Sequence, residues 1–261
     1  MGGLSALLLI LVGLVSGFVM SLIGASAVMI VVPSLNLLFS YGIHAAIGVS
    51  LMVDFIASIA VGYAYWRNGN VQIRQAAWVA LGTILGAQTG AICSVGVPEV
   101  LMGFLYGISM ISSGYFIWKK GLERHSVSER LGGYLKVDSD IKRIVVSLVL
   151  GIVIGVNCGI FGAGGGVLIM LVLIFVMDYP IHSAVGTSTV IMSVTAASAI
   201  TGYWRLGNVD TLTSLTVSLG TVVGGFAGAR YANNSSEENL VKVVGGVFIV
   251  IGFIMTLFRL L

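Results

Sequence analysis

Residues 65–71 read Tyr-Trp-Arg-Asn-Gly-Asn-Val, and residues 203–209 read Tyr-Trp-Arg-Leu-Gly-Asn-Val. The spacing between them is 138 positions, and it holds well beyond the motif. Tyr41, Ile43, His44, Ala46, Gly48 and Ser50 fall on Tyr179, Ile181, His182, Ala184, Gly186 and Ser188. Leu81-Gly82-Thr83, Gly86 and Gly90-Ala91 fall on Leu219-Gly220-Thr221, Gly224 and Gly228-Ala229. An apolar background produces stray glycine or valine matches, but not YWRxGNV twice in one register. The chain therefore reads as one module written twice. In a lipid-embedded chain such a repeat marks a transporter, with its site where the repeats meet.

Composition places it in lipid. Of 261 residues, 57% are hydrophobic and 9% charged, against about 25% charged in a soluble domain. Such a chain has no polar surface to offer water, so the bilayer is its solvent. A net charge of +3 is too small to suggest nucleic acid. Cys93 and Cys158 match neither a disulfide framework nor a metal-ligand cluster and read as small packing residues. No cofactor is expected.

Apolar stretches fall near 4–23, 25–39, 43–66, 76–95 and 98–118, and again near 143–161, 164–177, 181–204, 212–232 and 239–260. A membrane-crossing helix needs about 20 residues. The second stretch of each half is too short, at about 15 residues or ~22 Å of helix. Each follows a break: Gly24-Ala25-Ser26-Ala27 in the first half, Gly162-Ala163-Gly164-Gly165-Gly166 in the second. Stretches one and two thus read as a helical hairpin whose tip lies inside the membrane, tolerated only against protein or a water-filled cavity. The YWR triplet reads as an interfacial anchor and Gly-Asn as a turn. Gly82, Gly86 and Gly90, with Gly220, Gly224 and Gly228, form small-residue stripes for close helix packing.

The expected fold is an all-α polytopic membrane protein. It divides into a first repeat (1–118), a basic linker (119–142) and a second repeat (143–261), each repeat a broken-helix hairpin plus three further helices. The linker carries Lys119, Lys120, Arg124, Arg130, Lys136 and Lys142, so it faces the cytoplasm. Counting back, the Arg67–Arg74 turn is cytoplasmic and the Tyr41–His44 turn external. If the hairpin returns to the side it entered from, the repeats are inverted; if it crosses once, they are parallel. Positive-inside counting slightly prefers the parallel case and the chemistry of the breaks the inverted one, which is the expectation carried forward.

The glycine-rich break, the run Ala184-Val185-Gly186-Thr187-Ser188 and the duplicated YWRxGN turn together resemble the TauE/SafE family of sulfite exporters, also called toluene-sulfonate uptake permeases. The resemblance covers roughly residues 8–258. It implies a secondary transporter, multi-pass in the cell membrane, for sulfite, organosulfonates or related small sulfur anions. The first half departs from the pattern, with Ser26, Ala27 and Val28 where a glycine run is expected.

An oxyanion needs hydrogen-bond donors and positive potential, and the apolar segments hold almost no Lys or Arg. Helix N-termini exposed by the breaks supply both. The candidate binding residues are Gly24, Ser26 and Ser50 in the first half, and Gly162, Gly164, Gly165, Gly166, Thr187 and Ser188 in the second, with Thr189 as a further hydroxyl. The alternative for the glycines is tight helix crossing. For the hydroxyls it is a bond to a backbone carbonyl one turn back. His44, His182 and Asp54, the last an acid inside an apolar segment whose repeat partner is Met192, are candidates for proton coupling or gating. The expected partners are the bilayer, a small anion and protons. A carrier or channel for another metabolite or a metal ion is the alternative function. An intramembrane enzyme is the weaker one, since no H-E-x-x-H or G-x-S-x-G motif is present.

Overall fold

A computed structural model describes residues 3–24, 26–94, 96–104, 140–162, 165–177 and 179–235. Among these, eight helices have defined bounds: α1 (Gly3–Ile23), α2 (Val28–Phe39), α3 (Ile43–Arg67), α4 (Ile73–Ser94), α5 (Asp140–Phe161), α6 (Gly165–Phe175), α7 (Ile181–Arg205) and α8 (Thr211–Asn234). No strand occurs among the described residues. The bounds repeat at the offset read from the sequence: α3 moved by 138 coincides with α7 at both ends. Linker residues 119–139, the fifth apolar stretch of the first half past residue 104, and that of the second half lie outside the described residues.

Among the described residues, six helices are long and apolar enough to cross a membrane: α1, α3, α4, α5, α7 and α8. The two short ones, α2 and α6, are those whose stretches fell short in the sequence. Their position follows from what they touch. The backbone N–H of Ala27, just before α2, donates to the Asp54 carboxylate at 2.7 Å, and Asp54 is near the midpoint of α3. The other end of α2 joins the start of α3 through the Ser40–Gly42 turn. Helix α2 therefore runs antiparallel to α3, and the hairpin tip sits level with the middle of a full-length span.

Contacts at glycines fix the directions of the rest. A Cβ on Gly82, Gly86 or Gly90 would strike the carbonyls of Leu148, Ile152 and Val156 in turn, so α4 and α5 run parallel. Gly220 and Gly224 meet Ile10 and Leu14, so α1 and α8 do too. Gly62 lies against Val190, while Gly186 lies against Tyr65 and Asn70, so α3 and α7 are antiparallel. The equivalent helices α3 and α7 thus point in opposite directions, as an inverted arrangement requires. The halves also interlock, because α1 packs on α8 and α4 on α5. Lipid tails are as apolar as leucine, so helices gain little from hiding apolar surface and much from close approach. The stripes serve that purpose, as expected.

Loops tie the halves at both ends. Tyr41 Oη donates to Asp210 Oδ2 at 2.7 Å, and Tyr179 Oη donates to the Gln72 carbonyl at 2.8 Å. Asp210 is the N-cap of α8 and accepts from the amides of Leu212 and Thr213. Partial burial pushes its carboxyl up, but the hydrogen bonds from Tyr41, Thr213 and these amides outweigh this and hold it below its ordinary value. The stability it confers is complete above the unfolded carboxylate range, about 3.9, and is lost as pH falls through the lower folded value.

Asp210→Ala should cost about 1 kcal/mol at neutral pH. The deficit should shrink in acid below the ordinary carboxylate range, which thermal melts at both pH values would measure. Gly224→Val, whose Cβ meets the Leu14 backbone, should lower the melting temperature in detergent by several degrees or abolish folded yield. Gly3→Val, which meets nothing within 4 Å, should be neutral.

Candidate functional site

The two breaks are built alike. Gly24 and Gly162 end the first helix of each hairpin at φ +62° and +66°, a left-handed conformation that glycine adopts without Cβ strain. Gly24 lies against Val185 and Ser188 of α7, and Gly162 against Ile47 and Val28. Each break is held from behind by a tyrosine of the repeated YWR triplet. Tyr65 Oη donates to the Ser21 carbonyl at 2.7 Å. Tyr203 Oη donates to the carbonyls of Gly159 and Ile160 at 3.2 and 3.0 Å. This corrects the reading of the triplet as a wholly interfacial anchor. Tyr65 and Tyr203 are buried, whereas Trp66, Arg67, Trp204 and Arg205 are exposed as expected. An unsatisfied carbonyl at a helix end in lipid is costly, so the tyrosine turns inward to meet it.

The breaks converge. Ser26 Oγ lies 3.5 Å from the Gly162 carbonyl oxygen. The same hydroxyl donates to Asp54 Oδ2 and accepts from the Val28 amide at 3.2 Å. Asp54 Oδ1 takes the Ala27 amide. Asp54 is fully buried, and a buried carboxyl group demands such partners. It therefore caps the amide end of α2 from within the protein. Across the pseudo-repeat the arrangement differs. Gly165, the first residue of α6, faces Met192 Sδ and Cys158 Sγ. Met192 is the counterpart of Asp54, so a thioether stands there instead of a carboxyl group.

The remaining candidates divide. Gly166 is buried in the first turn of α6, and Gly164 lies outside the described residues. The hydroxyls of Ser50, Ser188 and Thr189 donate to the carbonyls of Ala46, Val185 and Val185 on their own helices, although Ser188 also borders Gly24. Thr187 Oγ1 accepts the Gln72 amide at 2.9 Å, in the loop before α4. His44 pairs through Nε2 with the Ser94 carbonyl at 3.1 Å, and His182 is half-buried at the start of α7. Both histidines stand at helix starts, on the order of 15 Å along their helices from the level of Asp54 and Met192. The structure thus gathers Gly24, Ser26, Asp54, Gly162, Gly165 and Ser188 about the breaks and leaves His44, His182 and Thr187 at the margins.

A sequence profile described as sulfite exporter TauE/SafE matches residues 9–255. The probable membrane transporter protein YdhB of Bacillus subtilis is 28% identical over 230 residues, covering 87% of this chain and 90% of its own. The probable membrane transporter protein YunE of the same organism is 25% identical, covering 95% and 96%. A probable membrane transporter protein of Methanocaldococcus jannaschii is 23% identical, covering 96% and 95%. No solved structure matches.

Ser26→Ala removes one of the two donors to a fully buried carboxyl group. It should destabilise the protein by roughly 1 to 3 kcal/mol, read as a lower melting temperature, while Ser50→Ala should cost less.

Proposed function

The chain belongs to the sulfite exporter TauE/SafE family, and on that premise we propose that it carries small sulfur oxyanions, sulfite or organosulfonates, across the cell membrane by alternating access. The observation that carries this reading is the approach of two oppositely directed helix breaks, with Ser26 beside the Gly162 carbonyl. Amide-rich helix ends at mid-membrane depth attract an anion through oriented N–H groups and the helix dipole, with no fixed cation to trap it. Weak, chargeless coordination suits a carrier, because the cargo must also leave.

The halves, read as inverted repeats, would rock about this point and open it to each side in turn. Gly24, Ser26, Gly162, Gly165 and Gly166 line the site in this reading. The Thr187 hydroxyl, bonded to the Gln72 amide, belongs to the closing contacts between halves. Asp54 couples transport to protons, because it is buried against one amide end of the site and an intramembrane carboxyl group is costly unless it is used. His44 and His182 stand at the two mouths. The positive-inside reading of linker 119–142 puts the α3 end bearing Arg67 on the cytoplasmic side.

Proteoliposomes holding the full chain should pass labelled sulfite or a sulfonate. Gly165→Val, whose added methyls would press on Met192 and Cys158, should abolish that flux while leaving the protein folded and inserted. Wild-type flux in this variant would remove the site. Asp54→Asn should flatten the pH dependence of flux, and an unchanged profile would make Asp54 purely structural.

A further inference from the structure

Hydroxyls buried in the described helices bond almost without exception. Ser50, Thr195, Ser218 and Thr221 donate to the carbonyl four residues back. Among the described residues, two fully buried hydroxyls have no partner, those of Ser58 and Ser147. Ser147 lies on α5, and its counterpart in the first half is Leu9. Ser58 is different, because it stands four residues after Asp54 on α3. That spacing puts both side chains on one face, about one turn or ~6 Å apart. The counterparts in the other half are Met192 and Ala196, so the second half lacks both the carboxyl group and the hydroxyl.

We propose that Ser58 is the second hydrogen-bonding station of the Asp54 carboxyl group, to which Asp54 turns when it leaves the α2 amide end. In the structure Asp54 is docked on Ser26 Oγ and Ala27 N–H, and Ser58 Oγ stands empty-handed on the same face. Leaving two donors for one hydroxyl as a carboxylate would strand charge in a dry interior. The move is therefore made by the neutral acid, which can donate its O–H to Ser58 Oγ or accept from it. Departure frees the Ser26 hydroxyl and the Ala27 amide for an oxyanion. This last consequence rests on the function proposed above.

The surroundings leave Asp54 as the group that titrates here. Helix α2 has no titratable side chain. Those of α7 (His182, Arg205) and α8 (Arg230, Tyr231) lie toward the ends of their helices, and Tyr203 of α7, whose ring reaches the break, donates its Oη to the carbonyls of Gly159 and Ile160. His44, Tyr63 and Arg67 of α3 itself also lie toward its ends, and Tyr65 donates its Oη to the Ser21 carbonyl. Described α1 carries none. On α5, Asp140, Lys142 and Arg143 stand at the start, and Cys158 is the group near enough to feel the charge of Asp54.

The test is a pH titration of the purified full chain followed by infrared difference spectroscopy. The C=O stretch of protonated Asp54 is assigned by its loss in Asp54→Asn. In Ser58→Ala this band should move to higher wavenumber, as a carboxylic acid that has lost a hydrogen bond does. Its titration midpoint should move with it, and Ser58→Thr should restore both. If Ser58→Ala leaves band and midpoint unchanged, or if no Asp54 acid band appears while the protein stays folded, the station does not exist. Sulfite added at fixed pH should strengthen the Asp54 acid band in wild type. A band that responds to Ser58→Ala but not to sulfite would uphold the station and count against the sulfur oxyanion as cargo.

Discussion

A peptide group stripped of its helical partner inside hydrocarbon has no water to turn to, and each such group costs several kcal/mol. Two broken helices therefore commit the chain to supplying partners from elsewhere in the protein. The structure does so with side chains brought from distant positions. Tyr65 and Tyr203 meet the carbonyls on one side of each break. On the other side, in the first half, Asp54 meets the freed amide of Ala27. Each break rests on the other half, Gly24 on Val185 and Ser188 of α7 and Gly162 on Ile47 of α3 and Val28 of α2, which brings Ser26 beside the Gly162 carbonyl.

Much of this was written in the sequence because it was written twice. The offset of 138 predicted the register of α3 and α7, and the shortness of stretches two and seven predicted α2 and α6. Helix direction was less legible. Counting loop charges weighs only a few Lys and Arg, whereas the order of contacts along Gly186, Gly62, Val190 and Tyr65 is unambiguous. The inward turn of Tyr65 and Tyr203 was hidden for another reason. A tyrosine beside Trp and Arg has the composition of a headgroup belt, and only the position of the preceding break shows which way the ring must face.

The pairing of Ser26 with Asp54 leaves a trace in the sequence. Both are places where the halves disagree: Ser26 stands where the second half has Gly164, and Asp54 where it has Met192. Two departures in one half, each polar where the other half is not, turn out to be a single interaction. The hydroxyls of Ser50, Ser188 and Thr189 carried no such signal. Their bonds to carbonyls on their own helix are what any serine or threonine makes when it lacks a better partner. Ser58 repeats the lesson of departures, since it too faces an alanine across the repeat.

The pairing of α1 with α8 bears on how the chain is made. Helix α1 leaves the ribosome with its main neighbour still some two hundred residues downstream. Its groove of Gly13 and Gly17 must wait in lipid, open, until that late helix arrives. During biosynthesis the early helices are thus an unfinished surface, exposed to insertion chaperones and to premature pairing with a sister chain.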